Sequence, residues 1–559
     1  MKVKHSKFMA LLVITLLITV MLTGCGPKTG QTAAGDNTSG DAASAPQKQD
    51  LVYPISAEIP SLDPQLANAI PSFNIGKHVF EGLIRVHNGK IQPGMAESWD
   101  ISPDGITYTF HLRDAQWSDG SKVTAKDFEF GLLRLLDPNT AASYAFAGLN
   151  IKNGGKFNSG EITDPSQVGI KALDEKTLEI KLEYPTKYFL SYLDLMCFYP
   201  TQKAAFDKYG TTFATEADKM LYNGPFILKE WKHEQEMVLE KNPNYWDKDS
   251  IKLNSIKAIQ VNDINTAISM YENGELDFCD IPMPLVEQYK KEDKALVYMS
   301  GADDWMQINL NAKGKPWLAN KNFRQALSFA IDREDYVLTT TKGLYKPATR
   351  LVLTIVSGSS GYYCDEHPLS PYTTKADPAK AKELLQAAMK ELNITDPAKI
   401  SVTFLTQDEE TSKLMAESLQ DQITKNLGIT FDIQVVPYKQ KIERMNKSDY
   451  EMLYAGWGPD YDDPMTYMEL WETKNSQNTG KYSNPKYDRL IEGARVETDA
   501  KKRCEMFYEA EKILLDDAPL VPLQYRQRAW TCNPALKGVV RHFIGADTDM
   551  VYAYFEGAK

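Results

Sequence analysis

Cysteine is scarce in this sequence and is spaced without a pattern. There are six cysteines in 559 residues, and no C-x-x-C pair occurs. Cys25 lies near the N-terminus, and the other five are Cys197, Cys279, Cys364, Cys504 and Cys532. An odd number at wide, irregular spacing is not a disulfide framework, and it contains no zinc or redox motif. We therefore predict that these five residues are mostly buried free thiols.

The motifs of common enzyme sites are also missing. The seven histidines form no H-E-x-x-H or other metal-ligand spacing. The segment 357–361 does not match G-x-S-x-G, and the segment 26–30 lacks the G-K-[ST] that cradles phosphates. Asp460, Asp462 and Asp463 crowd together like calcium ligands, but the glycine and glutamate of a calcium loop do not follow. We expect no metal, no cofactor and no catalysis, while a hydrolase using carboxylates distant in the chain stays open as an alternative.

An excess of positive charge is lacking as well. The 63 lysines and arginines are outnumbered by 75 aspartates and glutamates, which gives a net charge of -12. A surface of that sign repels phosphate backbones, so we expect no nucleic-acid partner. The composition is 43% hydrophobic and 25% charged, which is typical of globular proteins, and the length allows roughly three to four domains.

Only the N-terminus has a long apolar run. Three lysines precede the uncharged segment 8–22, which is too short to span a bilayer comfortably but suits the core of a signal peptide. The run ends in Leu-Thr-Gly-Cys25, which resembles the lipobox of bacterial lipoproteins. We therefore predict a signal peptide over 1–24, and a lipidated Cys25 that anchors the exported protein to the bacterial cell membrane.

The segment after Cys25 has the composition of a flexible tether. From Gly26 to Gln49 there is no valine, isoleucine, leucine or aromatic residue, so the segment cannot offset its ordering entropy. We predict a tether over 25–50 and a folded body that begins near Leu51.

The body alternates between strand and helix patterns. Residues 106–112 and 178–184 alternate with period two, as half-buried strands do. Asp377 and Pro378 are suited to start a helix that continues to Leu392. A strand (400–405), a helix (411–427) and a strand (429–435) then predict a βαβ unit, and 322–337 predicts a further helix.

Several short segments, taken together, resemble the extracytoplasmic solute-binding proteins of the oligopeptide and dipeptide ABC importers. They follow the order of that family from about Leu51 to the C-terminus, and they are Ser61-Leu-Asp-Pro64, Val79-Phe-Glu-Gly-Leu83, Ala96-Glu-Ser-Trp99, Tyr108-Thr-Phe-His-Leu-Arg113, Trp117-Ser-Asp-Gly120, Asn223-Gly-Pro-Phe226, Asn242-Pro-Asn-Tyr-Trp246, Phe323-Arg-Gln-Ala-Leu327 and Gly456-Trp-Gly-Pro-Asp-Tyr461.

The resemblance implies a large α/β periplasmic-binding-protein fold of type II with an extra domain, which makes three lobes. Two lobes would close around the ligand about a hinge. By comparison with the family, lobe I takes 51–70, 200–301 and 528–559, lobe II takes 71–199, and lobe III takes 302–527.

The same resemblance implies a function outside the cytoplasm. The protein would be a monomeric, lipid-anchored receptor that captures short peptides and delivers them to an ABC permease driven by separate ATPases. Two alternatives within the fold stay open. One is a binder of another solute, such as a nickel chelate, haem or an oligosaccharide, and the other is a peptide-pheromone sensor.

The resemblance also assigns ligand-binding residues. The aspartate of the G-W-x-x-D segment binds the α-amino group of a peptide in the family, and here it is Asp460. Main-chain pairing with the peptide is expected from three segments, which are Glu58-Ile59-Pro60, Asp303-Asp304-Trp305 and Gly456-Trp457-Gly458. Tyr144, Tyr438 and Tyr525 align roughly with aromatic residues of the family's cleft.

Two details near Asp460 stay open in the sequence. Asp463 precedes Pro464 and is suited to cap a helix that begins at Met465. In enterobacterial oligopeptide binders, basic residues near this segment neutralise the C-terminus of the peptide. One of them lies two positions before the G-W pair, and here that position is Tyr454. The basic residues that could replace it are Lys439, Lys441, Arg444 and Lys447.

Overall fold

The folded body begins with a strand at Asp50, one residue before the predicted start. The structure, a computed structural model, describes residues 48–557. The predicted signal peptide, Cys25 and the tether as far as residue 47 lie outside the described residues. Within 48–557, no helix has both the length and the apolar character that a membrane crossing requires.

The body contains strands and helices in alternation along most of its length. The strands are β1 (Asp50–Ile55), β2 (Ile84–His87), β3 (Lys90–Pro93), β4 (Ala96–Ile101), β5 (Thr107–Leu112), β6 (Ile170–Ala172), β7 (Thr177–Lys181), β8 (Phe226–Lys232), β9 (Glu236–Lys241), β10 (Ser255–Gln260), β11 (Phe278–Asp280), β12 (Leu296–Ile308), β13 (Lys346–Pro347), β14 (Ser401–Gln407), β15 (Thr430–Val436), β16 (Met452–Trp457), β17 (Leu520–Cys532), β18 (Leu536–Lys537), β19 (Val540–Arg541), β20 (Thr548–Asp549) and β21 (Tyr554–Phe555).

The α-helices are α1 (Ile70–Val79), α2 (Ala125–Leu136), α3 (Gly154–Asn158), α4 (Phe189–Tyr192), α5 (Lys203–Tyr209), α6 (Ile264–Glu272), α7 (Val286–Lys291), α8 (Pro316–Ala319), α9 (Lys321–Phe329), α10 (Arg333–Thr341), α11 (Tyr363–Glu366), α12 (Pro378–Glu391), α13 (Glu410–Leu427), α14 (Tyr438–Asn446), α15 (Met465–Met468), α16 (Pro485–Val496) and α17 (Ala500–Asp517).

Two four-stranded sheets come from the first half of the chain. One has the order β1-β10-β9-β8, in which β1 is parallel to β10 and the other pairs are antiparallel. The other has the order β4-β5-β7-β6 and is antiparallel throughout. β5 and β7 alternate between buried and half-buried residues, which confirms the two strands predicted from period-two alternation.

The largest sheet has the order β11-β17-β12-β16-β14-β15, with β13 on β17. β14 is parallel to β15, and α13 connects them, which confirms the predicted βαβ unit. The helix predicted to start at Asp377 is confirmed as α12. Asp377 caps it, since its side chain accepts a hydrogen bond from the Lys380 N–H at 2.9 Å. The long strands β12 and β17 pair over most of their length.

The prediction of one helix over 322–337 is wrong, because the structure has two. α9 ends at Phe329, and Asp332 starts α10 by accepting a hydrogen bond from the Asp335 N–H at 2.9 Å. The Asp332 N–H meanwhile donates to Gln422 Oε1 at 2.6 Å. The apolar periodicity continues across the break between α9 and α10. The sequence signal for two helices was Asp332, a residue type that favours the start of a helix and lies inside the periodic pattern.

A buried carboxylate joins α17 to the segment after β13. Glu511 is fully buried and accepts hydrogen bonds from the N–H groups of Leu351 and Val352, both at 3.1 Å. It also forms a buried ion pair with Arg350. Burying an ionised carboxylate is costly unless such partners satisfy it, so the pair fixes this crossing within a narrow geometry.

We expect Glu511→Ala to destabilise the fold by about 3–5 kcal/mol, because it leaves the Arg350 guanidinium buried without a counter-charge. The shift of the urea unfolding midpoint measures this. The matched control is Glu175→Ala, which breaks an exposed pair with Lys122 and should leave the midpoint unchanged. Equal effects of the two substitutions would contradict the prediction.

Candidate functional site

The candidate site lies where β16 ends. β16 is antiparallel to β12 and parallel to β14, so it is held inside the largest sheet. After Trp457 the chain leaves the sheet through Gly458 and Pro459, and α15 begins at Met465. Asp460 lies in this connection.

The carboxylate of Asp460 is half-buried and has no hydrogen-bond or ion-pair partner among the described residues. Burial raises the pKa of Asp460 to about 6. Burial raises the pKa values of Tyr144 and Tyr192, which come from an earlier part of the chain, and the negative charge of Asp460 adds to both shifts. A carboxylate in these surroundings is stabilised by any cation that reaches it.

The residues that follow Asp460 are, in contrast, fully engaged. Asp462 accepts hydrogen bonds from the N–H and the hydroxyl of Ser357 at 2.8 and 2.6 Å. Asp463 accepts two from Arg503, at 2.5 and 2.9 Å, and one from the Met465 N–H at 2.9 Å. The predicted capping contact of Asp463 is confirmed, although its ion pair with Arg503 is the larger restraint. The connection is therefore held on the C-terminal side of Asp460, whose carboxylate has no partner within residues 48–557.

Two glycines flank Trp457 and differ in what surrounds them. A Cβ on Gly456 would overlap Asp304 Oδ1 and would lie 2.5 Å from the Asp303 carbonyl oxygen. A Cβ on Gly458 would meet no heavy atom within 4 Å. Packing within the sheet therefore explains why residue 456 is a glycine. At Gly458 the backbone is exposed, and there is room for a side chain.

Trp457 itself is half-buried. Its indole N–H donates to Thr466 Oγ1 at 3.3 Å, and the same oxygen accepts a hydrogen bond from the Asp460 N–H at 3.2 Å. Thr466 is thus the residue that joins the tryptophan to the aspartate, and sequence reasoning missed it.

The segment Asp303-Asp304-Trp305 has no free backbone edge. It lies in β12 between β16 and β17, with Asp303 opposite both Trp457 and Tyr525. A third strand cannot add to a backbone that is paired on both sides, so the expectation that this segment pairs with a peptide needs correction.

The side chains of this segment have structural contacts. Asp304 is buried and accepts hydrogen bonds from Arg526 at 2.7–3.0 Å, and the Trp305 ring lies 5.9 Å from the Trp471 ring. Burial, with the charge of Asp304 second, raises the pKa of Asp303 well above its usual range. These residues hold the sheet beneath β16.

Glu58, Ile59 and Pro60 follow β1 as an irregular segment. The Glu58 carboxylate accepts a hydrogen bond from the Glu234 N–H at 2.6 Å and lies 2.8 Å from His233 Nδ1. Ile59 is buried. Within the described residues, no backbone hydrogen bond engages this segment.

The three predicted cleft tyrosines are in different surroundings. Tyr438 is 63% exposed at the start of α14, and Tyr144 is half-buried with its ring 5.6 Å from that of Phe73. Tyr525 is buried, and its hydroxyl donates to the carbonyl of Arg350 at 3.1 Å. The expectation for Tyr525 therefore needs correction, because its side chain is part of the core.

A cavity of about 330 Å³ opens beside β16. Its lining combines three residues of β16 with residues of α14 and β17, among them Tyr454, Gly456, Tyr438, Lys441 and Arg526. Of the basic residues that the sequence left open, only Lys441 lines this cavity. Arg526, which sequence reasoning missed, is the second cation there.

The cysteines match the prediction, and one cluster of possible metal ligands was not predicted. The five described cysteines are free, and all but Cys532 are buried.

Glu366, His367 and Cys504 bring ligand atoms within 4.8 Å of one another. However, Glu366 already accepts hydrogen bonds from the N–H groups of residues 359–361, and burial raises the pKa of Cys504 to about 12, so the thiol keeps its proton.

The two glycines give a direct test of the packing. We expect Gly456→Ala to lower stability by about 1–3 kcal/mol, because the new Cβ has to displace Asp304, which Arg526 holds in place. Gly458→Ala should leave the melting temperature unchanged. Differential scanning calorimetry measures both, and a stable Gly456→Ala would refute the packing explanation.

Comparisons with known proteins identify the family of the chain. The sequence profile of the bacterial extracellular solute-binding proteins, family 5 (middle region), matches residues 90–479. The chain is similar to the dipeptide-binding protein DppE of Bacillus subtilis, with 33% identity over 95% of this chain and 96% of the relative.

Two solved structures are similar over most of their length. OppA of Listeria monocytogenes bound to peptide has 33% identity and a TM-score of 0.71, covering 91% of this chain and 99% of the other. The unliganded open form of the Escherichia coli murein tripeptide binding protein MppA has 28% identity and a TM-score of 0.79, covering 91% and 97%. The α/β architecture is thus that of periplasmic binding proteins, and the chain belongs to the bacterial extracellular solute-binding proteins of family 5.

Proposed function

We propose that this protein is a receptor outside the cytoplasm that captures short peptides and delivers them to an ABC importer. The observation that carries the proposal is the Asp460 carboxylate, which has no partner among residues 48–557 and is followed by two aspartates that are fully engaged. The relatives add support, because DppE is named for dipeptide binding and OppA of Listeria monocytogenes was solved with a bound peptide. The receptor acts by binding and release, with a permease and separate ATPases as its partners.

The α-amino group of the peptide would pair with Asp460. A carboxylate that is half-buried without a partner is destabilised, and an ammonium group that enters the site removes this cost. The bond formed is charge-assisted and therefore stronger than one between neutral groups. Tyr144 and Tyr192, whose pKa values are raised by burial first and by the charge of Asp460 in addition, would border the bound amine.

The grip on the rest of the peptide would come from main-chain contacts. Gly458 has an exposed backbone with open space where a Cβ would lie, and Glu58–Pro60 has a backbone that no described group engages. A peptide backbone that pairs with these segments is held whatever its side chains are. This arrangement suits a receptor for peptides of many sequences.

Closure would occur about β12 and β17. The register of these strands shifts between Met299 and Asp303, and Gly301 within the shift has a φ of +85°. A shifted ladder is weaker and bends more easily than a regular one. We therefore keep lobe I (51–70, 200–301 and 528–559), lobe II (71–199) and lobe III (302–527) as the moving units.

The comparison of TM-scores supports an open state for this structure. The score is higher against open, unliganded MppA than against peptide-bound OppA, although the identity with OppA is higher. Closing the lobes would then bring the two main-chain segments together around the ligand.

Blocking the peptide amine tests the role of Asp460. We expect N-acetylation to weaken binding roughly 30-fold to several thousand-fold, since removing one partner of a desolvated pair costs about 2–5 kcal/mol. Isothermal titration calorimetry with free and acetylated forms of the same tripeptide measures the loss. Asp460→Asn should remove the difference between the two forms.

The pH dependence is the control for charge. The pKa of Asp460 is about 6 in the empty protein, and a bound ammonium group lowers it. Affinity should therefore be highest between about pH 6 and pH 7.5, should fall as the pH drops below 6, up to about tenfold per unit, and should fall again above about pH 8, where the α-amino group of the peptide loses its proton. An affinity that stays constant from pH 7.5 to 4.5 would remove Asp460 from this role. Binding of a metal chelate, haem or a sugar without any peptide binding would overturn the proposed ligand.

The membrane anchor is proposed from the sequence alone. Cys25→Ser should release the protein from the membrane fraction and leave peptide affinity unchanged, because the anchor is separated in sequence from the body by the tether. Fractionation of cells followed by calorimetry on both fractions measures the two effects. A variant that is processed and stays in the membrane would contradict the lipoprotein assignment.

A further inference from the structure

Three tyrosine rings pack together directly after Asp460. The ring centre of Tyr461 lies 3.9 Å from that of Tyr188, and the two ring planes are 16° apart. Tyr192 lies edge-on to both rings, with centres 5.0 Å from Tyr461 and 5.4 Å from Tyr188. All three side chains are buried, and we call them the tyrosine cluster. Aromatic pairs are stabilised beyond the area that they bury, so the three rings hold one another in place.

The tyrosine cluster joins segments that are far apart in the sequence. Tyr188 directly precedes α4, and Tyr192 is the last residue of this helix. Both belong to the proposed lobe II, whereas Tyr461 belongs to the proposed lobe III. The position of Tyr461 therefore depends on a wall that another part of the chain supplies.

Tyr461 is also held from its own side. Its hydroxyl donates a hydrogen bond to Glu469 Oε1 at 2.6 Å. Burial raises the pKa of Glu469 to about 6, and the charge of Asp460 adds to this shift. Arg495 faces Glu469 at 3.8 Å and pairs with Glu472 at 2.6 Å. Each of these charged groups has a protein partner, and none forms an ion pair with Asp460 in the described part of the chain.

Asp460 is tied to the same surroundings. Its N–H donates to Thr466 Oγ1 at 3.2 Å, and the next residue along the chain is Tyr461. Burial raises the pKa of Tyr192, and the charge of Asp460 raises it further. The Asp460 carboxylate and the Tyr192 ring therefore share one region from which water is largely excluded.

We propose that Tyr461 is a positioning residue, which holds the Asp460 carboxylate in a water-poor site by stacking on Tyr188 and Tyr192. This inference rests on the proposed function and adds that α4 and the residue before it form one wall of the amine site. An ion pair that water reaches is weak, whereas a desolvated pair is strong. The strength of amine recognition should therefore depend on the three rings.

The first experiment measures how strongly each variant recognises the amine. Calorimetry with trialanine and N-acetyl-trialanine gives the ratio of their dissociation constants, which we call the amine ratio. In wild type this ratio should be roughly 30 to several thousand. In Tyr461→Leu it should fall to about five or less, since a water-accessible ion pair contributes no more. Tyr461→Phe keeps the stacked ring and should restore most of the wild-type ratio.

The pH profile is the readout that a purely structural role would not move. Burial raises the pKa of Asp460 from 3.8 to about 6. Without the stacked ring, water reaches the carboxylate and its pKa returns toward the ordinary value. The pH at which trialanine affinity begins to fall should therefore move down by about one to two units in Tyr461→Leu. In Tyr461→Phe it should stay near that of wild type.

Two further variants serve as reciprocal test and matched control. Tyr188→Leu removes the other stacked ring and should lower the amine ratio as Tyr461→Leu does, so it decides the matter if Tyr461→Leu does not fold. Tyr372 is a buried tyrosine of the proposed lobe III, with its ring 5.5 Å from that of Phe329 and its hydroxyl bonded to the Leu515 carbonyl. Tyr372→Leu should lower the melting temperature and leave the amine ratio and the pH profile unchanged.

The results separate this inference from the proposed function. If wild type distinguishes the two peptides but both leucine variants of the cluster keep its amine ratio and pH profile, Tyr461 is a structural residue only and Asp460 keeps its role. The inference also fails if Tyr372→Leu lowers the amine ratio as much, because general loosening of the fold then explains the loss. If wild type binds both peptides equally or neither of them, the role of Asp460 fails and the inference falls with it.

Discussion

The pairing of β12 with β16 on one side and β17 on the other is the constraint on which the candidate site depends. Asp304, buried within this ladder and held by Arg526, occupies the space next to Gly456 and fixes the distance between the strands. Since β16 cannot shift against β12, the connection that carries Asp460 leaves the sheet at a defined point. Asp462 with Ser357 and Asp463 with Arg503 then restrain the connection itself. A local ion pair thus positions a residue several positions further along the chain.

Two charged groups differ from most other buried charges of the described residues because they have no ion-pair partner. Most buried charges here are satisfied within the protein, as in the pairs Arg350–Glu511 and Arg134–Asp63. Asp460 and Lys441 have no ion-pair partner among the described residues. Burial raises the pKa of Asp460 and lowers that of Lys441, which favours the neutral form of each group. A protein that leaves a carboxylate and an ammonium group unsatisfied loses stability when empty and regains it when a ligand of matching charge binds. Lys441 lines the cavity beside β16, and Asp460 is half-buried in the connection that follows this strand.

The two glycines on either side of Trp457 belong to one motif but lie in different physical surroundings. Gly456 meets Asp304 inside the sheet, so its side chain is excluded by packing, whereas Gly458 faces open space. In the sequence the two are equivalent members of G-W-G. Their roles separate only when the third element, β12, is placed beside them.

The sequence by itself determined the local elements and the family. The βαβ unit and the Asp377 cap follow from periodicity and capping chemistry, and the family follows from short motifs, all of which act over a few residues. It could not determine that α9 and α10 are separate, that Tyr525 belongs to the core, that the backbone of 303–305 is paired on both sides, or that Lys441 is the buried cation among four basic neighbours. Those features depend on strand order and on contacts between residues far apart in the sequence, such as Asp304 and Arg526, which are more than two hundred positions apart. Burial and unmet charge are properties of such contacts, and only the tertiary structure decides them.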